Sequence, residues 1–189
     1  QAGPVARPIQ TESQRDKATV ALVGEMFPVD AITIDRLLDS LGAAAGPVVP
    51  TREWRELYAA LDCKAAAMIH PFYAATARQF RAAGRPLLGS APVGVEGTAA
   101  WLEAMGELLG TDRASIEAAI STQKSAIRAA LDNNPIDAKI TLSGYEGSEL
   151  LVARLLIESG AEVAYVGSAC PKTEFSAVDA KWLEAHGVS

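Results

Sequence analysis

The chain has 189 residues, of which 49% are hydrophobic and 21% charged, a balance that is typical of a globular protein and excludes a disordered one. Its net charge of −6 comes from 23 acidic and 17 basic residues without a basic cluster, so we expect no nucleic-acid partner. No apolar run approaches the roughly 20 residues that cross a bilayer, and two distant cysteines, Cys63 and Cys170, predict neither a disulfide framework nor a zinc site. We therefore expect a cytoplasmic protein without a membrane span.

The first elements predict a parallel α/β sheet. Residues 1–16 lack a hydrophobic period and are interpreted as a tail or linker. The apolar run at 18–24 is typical of a strand buried on both faces of a parallel sheet. The helix that follows is predicted from apolar residues at helical spacing, with Asp30 as its N-cap and Gly42 as its stop. These apolar residues are Ile34, Leu37, Leu38 and Leu41.

The same strand-then-helix unit recurs along the next 60 or so residues. Strands are predicted at 47–50, 65–70 and 86–89, with helices at 54–61 and 72–84 between them. Four such units predict a doubly wound parallel sheet over residues 17–110, with helices on both faces. A further helix, with Thr98 as its predicted N-cap, belongs to this domain.

A long helix and a second set of strands follow. The apolar stripe Ile116, Ile120, Ile127 and Leu131 predicts a bridging helix over 111–134, begun by Thr111 or Asp112. Strands at 138–143 and 162–167, with helices at 148–159 and 179–186, predict the start of a second α/β domain over 135–189. Because two strands would leave an unpaired sheet edge, we expect the chain to be a fragment of a longer polypeptide.

Two strand-to-helix turns carry candidate chemistry, because such turns lie at the end of a parallel sheet where ligands bind. In the first, His70 can relay a proton or bind a metal, and Phe72 and Tyr73 can face a flat conjugated ligand. The alternative is a histidine that only starts a helix, hydrogen-bonded to the backbone, with Phe72 in the core.

The second turn, Gly144, Tyr145, Glu146 and Gly147, opens a helix whose N-terminal amides favour an anion. Its alternative is a tight turn with Ser148 as the N-cap. The first turn of the chain, at 24–28, lacks the GxGxxG pattern of dinucleotide sites.

Five segments in order resemble nitrogenase component 1-type proteins. They are LVGEMFP at 22–28, MIHPFY at 68–73, PVGVEGT at 92–98 followed by Trp101 and Leu102, SGYEGS at 143–148, and VGSACP at 166–171. The resemblance runs from Ala18 to Ser189 and, within the family, is strongest to the enzymes that reduce chlorophyllide a. It implies a three-domain subunit that lacks its N-terminal domain here.

The resemblance further implies an oxidoreductase that reduces the C7=C8 double bond of the chlorin ring in bacteriochlorophyll biosynthesis. The complete enzyme is expected to pair with a Z subunit and to receive electrons from an ATP-dependent iron-sulfur reductase component. Its [4Fe-4S] cluster is expected to be held by cysteines outside this sequence, so Cys63 and Cys170 are not carried over as ligands and the isolated chain is expected to hold no metal and to be inactive.

By the same resemblance, His70 is the catalytic candidate, and Phe72, Tyr73, Gly144, Tyr145, Glu146 and Gly147 are the substrate-binding candidates. The alternative function is a doubly wound two-domain protein that binds a small molecule, or a transferase, with no redox role.

Overall fold

The computed structural model describes residues 17–26 and 29–188, and strands alternate with helices in this part of the chain except where two helices follow each other between residues 94 and 132. The predicted tail at 1–16, and Phe27 and Pro28 of the first turn, lie outside the described residues. The strands are β1 (Ala18–Val23), β2 (Ala43–Val49), β3 (Ala65–Met68), β4 (Leu87–Leu88), β5 (Lys139–Gly144) and β6 (Glu162–Ser168). The helices are α1 (Ala31–Asp39), α2 (Trp54–Asp62), α3 (Ala74–Ala82), α4 (Gly94–Leu109), α5 (Arg113–Asp132), α6 (Glu149–Glu158) and α7 (Ala177–Ala185).

Strands β1 to β4 form a parallel sheet in the order β2-β1-β3-β4. Residues 20–23 of β1 are buried, as expected for a central strand covered on both faces. Alternate residues of β1 point into two separate cores: Val20 and Leu22 pack with α1, α4 and α5, and Ala21 and Val23 pack with α2 and α3. The prediction of a doubly wound α/β sheet is therefore confirmed.

Most element boundaries differ from the sequence-based prediction by one to three residues, and the starts of β2 and α4 differ by more. Strand β2 begins at Ala43, because it pairs with β1 from Ala18 onwards, although its first residues are small and lack a strong strand signal. Helix α4 begins at Gly94, so Thr98 lies inside the helix and its predicted role as N-cap is wrong. The amides of Val95 and Glu96 donate to the carboxylate of Glu158 in α6, a cap that no local sequence signal indicates.

The second sheet consists of β5 and β6, paired in parallel, with α6 and α7 packed together against it. Helix α5 is continuous, is capped by Asp112 as predicted, and lies along α4 with Ile116 and Ala119 buried. No helix in the described ranges is both long and apolar enough to cross a membrane.

The two sheets meet where β4 leads into α4. The hydroxyl of Ser90 donates to Asp179 of α7, and a Cβ at Gly89 would lie 2.9 Å from Phe175. Helix α4 also contacts α6 through Glu158. Gly147 in the turn after β5 lies against Pro71 and Phe72 in the turn after β3, so these two turns face each other across the junction.

Candidate functional site

The site is built from the turns after β1, β3 and β5. A short 3₁₀ turn at Pro71–Tyr73 separates β3 from α3. Gly147, with φ of +81°, lies directly against it: an added Cβ would be 3.1 Å from Pro71 and 3.3 Å from Phe72. The structure therefore brings the two turns selected from the sequence into contact, and a glycine is required at this point of closest approach.

His70 starts the 3₁₀ turn and is only partly buried. Its Nδ1 accepts a hydrogen bond from the backbone amide of Phe72, at 3.3 Å. That bond requires a lone pair on Nδ1, so the neutral ring carries its proton on Nε2. Burial lowers the pKa of His70, and the nearby carboxylate of Glu146 opposes this effect without reversing it. His70 is therefore neutral at pH 7 and holds the turn as well as facing the site.

Phe72 is 47% exposed, so it does not belong to the core as the alternative interpretation of this turn required. Its ring centroid lies 5.0 Å from that of His70. Tyr145 is 88% exposed. The two rings give the junction an exposed aromatic surface.

Tyr73 lies on the other side of His70, at 5.5 Å in an edge-on arrangement, and packs partly into the core beneath α3. A Cβ at Gly24, whose φ is +84°, would overlap the Cβ of His70 and lie 3.1 Å from Tyr73. Tyr73 is half-buried and thus supports His70 together with the first turn.

Glu149, at the start of α6, contacts the second turn and is not among the residues predicted from the sequence. Its side chain is buried, and it accepts hydrogen bonds from the amides of Glu146 and Gly147 at 2.8 and 3.2 Å and from the hydroxyl of Ser168 at 2.6 Å. Burial by itself would raise the pKa of Glu149, but these hydrogen bonds together lower the pKa below its ordinary value. Two amides of the turn ahead of the helix N-terminus, where an anion was expected, therefore already bind this carboxylate.

A cavity of about 20 Å³ lies behind the turns, between the two sheets. Met26, Ile69, Pro71, Leu150, Cys170 and Asp179 are among the residues that line it. Since a single water molecule needs about 10–15 Å³ by this measure, the cavity has room for a water but not for a tetrapyrrole. A large ligand would have to lie outside it.

Neither cysteine is arranged to hold an iron-sulfur cluster. Cys63 lies at the end of α2, beside Thr19 of β1, whereas Cys170 lies in the loop after β6. Burial raises the pKa of both thiols, so both are protonated at neutral pH. Among the described residues, no three His, Cys, Asp or Glu side chains are grouped to bind a metal. The described residues therefore do not fit a [4Fe-4S] cluster.

The chain is similar in sequence to reductase chains whose names refer to chlorophyllide or protochlorophyllide. It is 61% identical over 187 residues to the "Chlorophyllide reductase 52.5 kDa chain" of Cereibacter sphaeroides and 57% identical over 187 residues to that of Rhodobacter capsulatus. It is also 29% identical over 171 residues to the "Light-independent protochlorophyllide reductase subunit N" of Rhodopseudomonas palustris. The first two matches span 99% of this chain but 37% of each relative, and the third spans 88% and 40%.

A solved structure of nitrogenase Cp1 at pH 5 has the same fold. It superimposes with a TM-score of 0.64 over 90% of this chain and 39% of the other, at 16% identity. The family model of the nitrogenase component 1 type oxidoreductases matches residues 4–188, and neither this match nor the relatives support the alternative of a binding protein or transferase without a redox role. The chain therefore belongs to the family of nitrogenase component 1 type oxidoreductases.

Proposed function

We propose that this chain is part of the catalytic component of a chlorophyllide reductase that reduces the C7=C8 double bond of chlorophyllide a. The observation that carries the proposal is the 61% identity over 187 residues to a chlorophyllide reductase chain. The whole enzyme would act in bacteriochlorophyll biosynthesis in the cytoplasm. It would pair with a Z subunit and take electrons from an ATP-dependent iron-sulfur reductase component, through a [4Fe-4S] cluster whose ligands are not among the described residues. We propose the domain division at 110 and 134 as part of the same assignment.

The exposed aromatic side chains of the site support binding of a chlorin. The ring is broad and apolar, so it needs aromatic packing and few polar contacts. Phe72 and Tyr145 supply exposed aromatic area at the junction of the two sheets. The small cavity behind them excludes a ligand of this size, so the ring would lie across the turns, with the remainder of the pocket supplied by other parts of the enzyme.

His70 has the chemistry for one of two roles in this proposal. As the neutral ring it would donate a hydrogen bond from Nε2 and orient the substrate. As the imidazolium it would supply a proton to the reduced double bond. Since burial lowers the pKa of His70, the second role would give a rate that rises as the pH falls toward that pKa, whereas the first would not.

The test uses the assembled enzyme with chlorophyllide a and compares His70→Asn with His70→Ala. Asparagine is a good N-cap and retains an acceptor for the Phe72 amide, so His70→Asn should keep the turn stable. A loss of turnover in this variant would then be due to the missing imidazole and not to an unstable turn. We expect both variants to lose turnover, by about 10²-fold or more if the ring transfers a proton, while only His70→Ala is clearly less stable to heat.

If wild-type enzyme neither binds nor reduces chlorophyllide a, the proposed function is wrong. If His70→Asn turns over at the wild-type rate, the function stands but the role of His70 is withdrawn.

A further inference from the structure

The carboxylate of Glu149 folds back over the N-terminal end of its own helix. One oxygen accepts from the amides of Glu146 and Gly147, and the other accepts from the hydroxyl of Ser168. The Ser168 oxygen in turn accepts from the amide of Cys170, at 2.9 Å. A single buried charge thereby connects the turn after β5 to the loop after β6.

A glycine at position 144 leaves room for this carboxylate. A Cβ at Gly144 would lie 2.7 Å from a Glu149 carboxylate oxygen, so a larger residue would displace it. Within the described part of the chain, the Ser148 hydroxyl makes no capping hydrogen bond, although Ser148 is the residue at the cap position. The internal carboxylate accepts from two amides of the turn that leads into α6, ahead of the N-cap, so these amides are not free for an external anion.

The same turn is part of the aromatic surface. Gly147, whose amide donates to Glu149, is the residue that touches Pro71 and Phe72, and Tyr145 stands within the turn. The position of the turn therefore depends on a bond to a side chain that itself does not reach the surface.

We propose that Glu149 is a positioning residue that also determines specificity: its carboxylate is a built-in anion that holds the Gly144–Gly147 turn against Phe72 and leaves the amides of Glu146 and Gly147 unavailable to acidic groups of the ligand. The proposal rests on the proposed function for the identity of that ligand. It follows that the turn presents apolar surface to the chlorin ring, and that the free carboxylate of chlorophyllide a binds at another place.

Acetate rescue of Glu149→Ala in the 189-residue chain tests the first part. Removing the carboxylate vacates a site with two amide donors and one hydroxyl donor, which acetate fits. We expect the variant to melt at a lower temperature than wild type, and about 100 mM acetate to raise its melting temperature by at least about 2 °C relative to chloride at equal ionic strength. Wild type and the control Glu162→Ala, in which an exposed carboxylate is removed, should show no such rise.

Equal responses of all three proteins to acetate would overturn the proposal, as would an unchanged melting temperature in Glu149→Ala. If that variant does not fold, Glu149→Gln retains the volume and one carbonyl oxygen while removing the charge. Its Glu146 and Gly147 amide resonances should then shift from those of wild type, and unshifted resonances would also overturn the proposal.

The assembled enzyme tests the second part, by comparing chlorophyllide a with its methyl ester. Any preference of the wild-type enzyme for the acid over the ester should arise at that other place, so substituting Glu149 should not reduce the ratio of the two KM values, because the turn does not bind the acid. In Glu149→Ala, KM for both should rise and acetate should lower it again, with kcat changing less than KM.

A wild-type enzyme that strongly prefers the acid and loses this preference in Glu149→Ala would overturn the specificity claim. Failure of the wild-type enzyme to reduce chlorophyllide a would refute the proposed function, whereas acetate rescue of the isolated chain does not depend on that activity.

Discussion

Asp179→Ala should be among the most destabilising single substitutions in the described part of the chain. Arg154 and Asp179 form an ion pair at 2.5 Å in which both side chains are only 5% exposed. The second oxygen of Asp179 accepts from Ser90, at 2.6 Å, across the junction between the two sheets. The substitution therefore removes the partner of a buried guanidinium and a contact between the sheets in a single step.

The expected loss follows from this burial. Breaking a buried ion pair by removing one partner costs about 3–5 kcal/mol, because the remaining charge is left uncompensated. Losing the Ser90 hydrogen bond adds about 1 kcal/mol. Arg154 keeps its contact with the ring of Trp182, 4.7 Å away, so the guanidinium is not left entirely without favourable interactions. A total of about 4 kcal/mol would be a large share of the roughly 5–15 kcal/mol that stabilises a domain.

Urea unfolding of the 189-residue chain measures this loss. Arg154→Met combined with Asp179→Ala removes both charges and should be more stable than Asp179→Ala alone. The matched control is Glu162→Ala, which breaks an exposed pair with Lys139 and should cost at most about 1 kcal/mol. If Asp179→Ala cost no more than Glu162→Ala, or if the double variant were no more stable than the single one, the inference that an unpaired buried charge causes the loss would be refuted.

Three further outcomes are expected. Gly24→Ala should displace His70 and lower both the melting temperature and turnover of the assembled enzyme, since alanine at φ of +84° costs about 1–2 kcal/mol and its Cβ overlaps His70; unchanged values of both would contradict this. Leu102→Ala, at a fully buried position, should reduce the free energy of unfolding, measured in urea, by about 2–5 kcal/mol. A loss below about 1 kcal/mol would contradict tight packing around Leu102. Because folding lowers the pKa of Glu149 from its ordinary 4.5, its contribution to stability is present above that pH and is lost as the pH falls through the folded pKa. The difference in free energy of unfolding between wild type and Glu149→Gln should therefore narrow as the pH falls below 4.5, and a constant difference would contradict the assignment.

The local patterns of the sequence determined the fold class and most of the elements. The apolar run of β1 is sufficient to predict a central strand, because a strand that is covered on both faces has no polar side. Asp30 and Asp112 cap their helices as predicted, since a cap depends on amides only two or three residues away. The turns at His70 and Gly144 were selected for the same reason: they follow apolar strands and precede helical periods.

Only the tertiary structure decided how these turns are held and which polar groups meet. Helix α4 begins earlier than predicted because Glu158, 63 residues away from Val95, caps its first amides. Glu149 resembles an ordinary acidic residue in the first turn of a helix until the fold buries it and brings Ser168 to its second oxygen. Sequence periodicity reports on neighbours within one or two turns of a helix or along a strand, whereas these contacts depend on the packing of one sheet against the other. The physical reason is that a buried charge is tolerated only where distant donors converge on it, and that convergence is a property of the complete packing.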